Sequence, residues 1–194
     1  MKTSFMGMLL LVVVSLWAVP SQAEDRLTAF GFEIGKPLYL PECEFNPVLK
    51  YSGPQKKICM EPRGLTSSFV SVHFPSNERP SLLSTDAVSV KLFIGNLEAL
   101  GFGTKGFESK ETVLQTLEQK YGKPTRLIET KVQNRLGAKF DSFLATWEFA
   151  DLYVEYEPIY MGSMTEGFIR IETPRAKRDR EDTMRALTRD NRPL

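Results

Sequence analysis

Only carboxylates occur in this 194-residue chain in the pairs that hydrolytic chemistry requires. Glu155 and Glu157 lie two residues apart in LYVEYE, so a strand projects both from one face, and Glu148 and Glu172 fall in neighbouring extended segments. Two acids at a suitable separation suffice to hydrolyse a glycosidic bond, one as the proton donor and one as base or nucleophile. The same pattern also describes the wet side of an antiparallel sheet. Other reactive types fail on inventory. His73 is the one histidine, which excludes multi-histidine zinc sites, and no G-x-S-x-G is present to carry a serine nucleophile. His73 reads as a rim residue. Gly101-Phe102-Gly103-Thr104-Lys105-Gly106 spells G-x-G-x-x-G ahead of a helix, with Glu129 downstream where a ribose-binding acid would follow. A dinucleotide fold alternates strand and helix, however, and the segments after this helix are successive strands. The glycines are expected to serve a tight turn, and no cofactor or metal is expected.

The face that carries the acids also carries Leu144, Tyr153 and Phe168, with Arg170 among them. Aromatic anchors inside a charged rim are how protein interfaces are built. Leu144, Glu148, Tyr153, Glu155, Phe168 and Arg170 are therefore the candidate binding residues. The alternative is that a second layer, from the C-terminal segment or the N-terminal half, covers them.

The element that must position this face is the helix within Gly101 to Thr125. Val113, Leu114, Leu117 and Tyr121 form one apolar stripe, and Lys110, Glu111, Gln115, Glu118 and Gln119 fill the rest of the circumference. Ser109 is the expected N-cap. Gly122 supplies the stop, and Pro124 cannot continue a helix. Four strands follow, at Arg126 to Gln133, Ser142 to Phe149, Leu152 to Glu157 and Gly167 to Thr173, with turns short enough to make an antiparallel meander. Before the helix, Phe69 to Phe74 and Val88 to Ile94 alternate as half-buried strands, and Leu97 to Phe102 reads as a short partner strand. Ala29 to Leu40 reads as a strand, a Gly-Lys-Pro turn and a further extended piece.

The ends set the compartment. Lys2, the apolar run Met8 to Ala18 and the small residues closing Pro20-Ser21-Gln22-Ala23 predict an export signal cleaved after Ala23. No other segment is apolar enough to span a bilayer, so no integral membrane segment is expected after cleavage. Without Lys2 the basic residues equal the 24 acidic ones, which leaves no global attraction to nucleic acid. In an exported protein Cys43 and Cys59 are expected to pair, tying a loop poor in core residues by about 3 kcal/mol. Residues 24–174 then form one domain. The stretch 175–194, with seven basic and four acidic residues, is expected to be a solvated tail or a frayed helix.

A helix ending in KYGKPT and followed by a four-stranded meander resembles small exported bacterial modules, the secreted β-lactamase-inhibitor-protein fold and the outer-membrane-assembly lipoprotein that is similar to half of it. The resemblance implies an α+β fold of one long helix packed on an antiparallel meander, or a degenerate tandem of two helix-plus-sheet units. It also implies a periplasmic or secreted location. It carries no functional residue across, and the lipid-bearing cysteine of the lipoprotein is absent. The expected function is a non-enzymatic module that binds another protein of the envelope or exterior, as inhibitor, immunity-type partner or accessory factor. The alternatives are a carboxylate-dependent glycan or cell-wall hydrolase and a binder of small apolar ligands.

Overall fold

The computed structural model describes residues 26–46, 51–52, 55–61, 69–133 and 137–190. The export signal and its cleavage site lie outside them. Two short hairpins open the described chain, β1 (Thr28–Ala29) with β2 (Phe32–Glu33), and β3 (Phe45–Asn46) with β4 (Tyr51–Ser52). The main sheet contains β5 (Cys59–Met60), β6 (Phe69–His73), β7 (Ala87–Phe93), β8 (Asn96–Thr104), β9 (Arg126–Gln133), β10 (Lys139–Glu148), β11 (Tyr153–Glu157) and β12 (Gly167–Glu172). Its order is β5-β6-β7-β8-β12-β11-β10-β9, antiparallel at every pairing. Helix α1 (Lys110–Tyr121) and helix α2 (Pro174–Asp190) complete the mixed α+β fold.

The expected helix on a four-stranded meander is therefore too small a description. Two meanders, β5 to β8 and β9 to β12, share one sheet because β12 pairs with β8 in the register Leu100↔Ile171 and Phe102↔Ile169. β8 is not a short partner strand but a nine-residue central one, where both neighbours and both faces enforce burial. A tandem of two helix-plus-sheet units is not seen either. Among the described residues the first meander has no helix, and the N-terminal segment takes that place. Phe30 and Gly31 both adopt positive φ, the geometry of a type I′ turn that folds β1 onto β2. Phe30 meets Phe74 and Phe102 edge to face, while Phe32 and Ile34 are buried in the same core as Val72, Val88 and Val90.

α1 covers the inner side of the second meander. Val113, Leu117 and Tyr121 are buried in one core with Ala145, Trp147, Val154, Tyr156 and Ile169. The C-terminal stop is as expected, Gly122 at positive φ with its N–H donating to the Glu118 carbonyl. The start is not. A 3-10 turn over Gly106–Ser109 leads into the helix, and the Ser109 hydroxyl donates back to the Gly106 carbonyl without capping. Cys43 and Cys59 form a disulfide.

The charged C-terminal segment is helical from Pro174 to Asp190, and its first turns are docked. Ala176 is buried, and the Thr173 hydroxyl accepts a hydrogen bond from the Ala176 N–H at the helix start. This helix is the second layer on the outer sheet face.

Candidate functional site: a groove on the outer sheet face

Cross-strand register sorts the outer face into rows. One row runs Glu148, Tyr153, Glu172, Ala99, Lys91 and Phe69 from β10 to β6. α2 lies along it and holds it mainly by charge. Lys177 Nζ bonds Glu148 at 3.0 Å and stands 4.0 Å from the Tyr153 ring centre, Arg180 bonds Glu172 at 2.6 Å, and Asp179 accepts from Lys91. The Lys91 contact holds the Asp179 carboxyl below the usual carboxylate range.

The next row reads Thr146, Glu155, Arg170, Gly101, Ser89 and Ser71. Its β8, β7 and β6 members are small, so a trough opens there beside the helix. Phe168 leans over Gly101 from the following row, and a Cβ built at Gly101 would sit 2.7 Å from the Phe168 Cζ, so a side chain there would have to displace the ring. Tyr160 stacks on Phe168 with ring centres 4.7 Å apart. The result is a groove of about 510 Å³ walled by Phe69, Lys91, Tyr160, Phe168, Ala176 and Arg180, with Gly101 and Ser89 in its floor. That volume is ordinary for a ligand site. The G-x-G-x-x-G of the sequence thus contributes Gly101 and Gly103 to a strand under other side chains, Phe168 over the first and Ser84 against the second.

The structure distributes the six candidate binding residues unevenly. Phe168 and Arg170 line the groove, and Glu155 is adjacent to them, accepting from Arg170 Nη1 at 2.5 Å and from the Tyr153 hydroxyl at 2.7 Å. Tyr153 itself is 8% exposed beneath Lys177, so it supports α2 and offers no contact surface. Burial, together with the hydrogen bond it donates to Glu155, pushes the Tyr153 phenol well above its ordinary value. Glu148 is consumed by Lys177, and Leu144 pairs with Ile128 on β9, away from the groove. Phe69, Tyr160, Lys91 and Arg180 were missed. The alternation of β6 and β7 already put Phe69 and Lys91 opposite Val70 and Val90, but nothing local joined those strands to β12.

Catalytic carboxylates fare poorly in this geometry. Glu155 and Glu172 are held in ion pairs with Arg170 and Arg180. Glu157 shows no ion pair among the described residues, and its carboxyl is raised above the ordinary value by burial and then by the Glu155 charge, with Arg170 opposing. A raised folded-state pKa contributes stability that is full below the unfolded value and is lost as pH rises through the folded one. Glu157→Gln is therefore expected to raise Tm relative to the parent at about pH 7, with the gain shrinking toward about pH 3.5, where both states hold the proton. Thermal melts at the two pH values check this, and a gain that is equal at both would show that charge is not the cause.

His73 Nε2 lies 2.9 Å from Glu61 Oε1 at the β5–β6 end of the sheet, far in sequence register from the acids. Among the described residues no three His, Cys, Asp or Glu side chains gather as a metal site, and no helix is long and apolar enough to cross a membrane. Comparison with family models, with curated proteins and with solved structures finds no match to this chain.

Proposed function

We propose that this chain is an exported, non-enzymatic binding module that receives an apolar side chain of another envelope or extracellular protein in the groove beside α2. One observation carries the reading: the trough beside α2 is lined by aromatic and small residues, while the charges around it are already paired with one another, Arg170 with Glu155, Arg180 with Glu172 and Lys91 with Asp179. An apolar group entering there strips no unpaired charge of water, and the rings of Tyr160 and Phe168 supply the anchoring surface. The same pairing occupies Glu155 and Glu172, two of the acids a glycan hydrolase would draw on. The Cys43–Cys59 disulfide fits an oxidising compartment.

The test replaces Tyr160 and Phe168 by alanine and compares proteins recovered by cross-linking from envelope extract. Loss of an aromatic anchor typically costs about 2 kcal/mol or more, so recovery of the specific partner is expected to fall roughly thirtyfold. Equal recovery of every protein by parent and variant overturns the reading. A lipid retained by the parent and absent from the variant in native mass spectrometry would instead assign the groove to a small apolar ligand.

A further inference from the structure

We infer that β9 is a self-pairing edge through which two copies of this chain associate into a two-fold dimer. β9 ends the main sheet, and among the described residues it pairs only with β10, which leaves the other side of an eight-residue backbone ladder open. Open edges of that length are templates for strand addition. What selects a second copy as the added strand is the sequence RLIETKVQ itself.

A two-fold axis perpendicular to the sheet places equivalent faces side by side, so antiparallel self-pairing must centre on a residue. Centred on Thr130, each Glu129 stands opposite Lys131 of the other copy, and each Ile128 opposite Val132. Both pairs occur twice. Shifting the centre to Glu129 or to Lys131 sets two like charges directly opposite, which is destabilising. One register therefore combines two opposite-charge pairs with two apolar pairs, and the registers on either side are penalised. Ile128 and Val132 are the two half-buried residues of the strand, while Glu129, Thr130 and Lys131 are exposed. Among the described residues Lys131 has one ion pair to rearrange, a solvent-facing one 3.4 Å from Asp141. The groove lies on β6, β7, β8 and β12 beside α2, so association at β9 leaves it open and is independent of what it binds.

The test is sedimentation velocity on the full chain, purified at whatever N-terminus the host leaves. The parent is expected to approach twice the monomer mass as concentration rises to about 0.1 mM, within the range of small transient interfaces. Glu129→Lys alone sets lysine against lysine twice, Lys131→Glu alone sets glutamate against glutamate twice, and each is expected to weaken association about tenfold or more. Mixed one to one, these two variants regain every opposite-charge pair and are expected to dimerise with each other. The double variant E129K/K131E is expected to behave as the parent. A parent that stays monomeric, single variants that dimerise as the parent does, or a mixture that stays monomeric overturns the inference. Circular dichroism on each variant establishes that these exposed substitutions leave the fold intact.

Discussion

Trp147→Ala is expected to lower folding stability by about 3–5 kcal/mol, the range for emptying a large aromatic site in a core. Trp147 is fully buried on β10, its ring 6.2 Å from that of Tyr121 in the last turn of α1. Its indole Nε1 also donates to the Gly122 carbonyl at 2.7 Å, so the side chain that packs the helix on the sheet also satisfies the residue that ends the helix. Alanine opens a void between β10 and α1 and removes the donor from that carbonyl. Trp147→Phe removes the N–H but leaves a smaller void than alanine does, so it sets an upper bound on the share of the hydrogen bond. It is expected to cost about 1–2 kcal/mol. Denaturant melts of the three proteins measure both, and hydrogen exchange should show the loss of protection in Trp147→Ala concentrated at the C-terminal turn of α1. A cost for Trp147→Ala no larger than for Trp147→Phe would mean that the seam between α1 and β10 carries little of the stability.

That seam is the part of the molecule most legible in the sequence. Val113, Leu117 and Tyr121 recur at helical spacing, Gly122 and Pro124 end the run, and Ala145, Trp147, Val154 and Tyr156 alternate at strand spacing, so each segment announces its buried side locally. The register Leu100↔Ile171 that fuses the two meanders has no such local signal, because the apolar face of either strand could have paired elsewhere. Docking of α2 was hidden for a different reason. Apolar periodicity detects helices that bury hydrocarbon, and α2 buries little beyond Ala176; it is fastened by Lys177, Asp179 and Arg180 to charged partners on the sheet. Those charges, read along the chain, resemble a solvated tail. Strand alternation places Phe168, Arg170 and Glu155 on the outer face, where the structure has them, and the burial of Tyr153 was not legible because alternation says nothing of what lies above that face.

Arg180→Met should release α2, and with it one wall of the groove. Glu172 is 1% exposed, and the Arg180 guanidinium grips it through Nη2 at 2.6 Å and Nε at 3.0 Å. Desolvation works against the charge of Arg180, but the hydrogen bonds and charge of Glu172 outweigh it and hold the guanidinium above its ordinary pKa. Removing the arginine leaves an uncompensated carboxylate in the β12 row under the helix. The expected loss is about 3 kcal/mol, the low end for breaking a buried pair, because Arg180 itself reaches solvent. Replacing both partners, E172M/R180M, removes the stranded charge and fills the same space with hydrocarbon, so stability should return to within about 1 kcal/mol of the parent or exceed it. The double-mutant cycle is measured in denaturant at neutral pH, with hydrogen exchange along residues 174–190 as the second readout. If the single variant falls within about 0.5 kcal/mol of the parent, the pair is energetically a surface one. α2 would then be held mainly by Ala176, Lys177, Asp179 and the Arg175 guanidinium over the Phe93 ring. If instead the double variant restores stability but not partner recovery, the charges around the groove matter to recognition beyond holding the helix down.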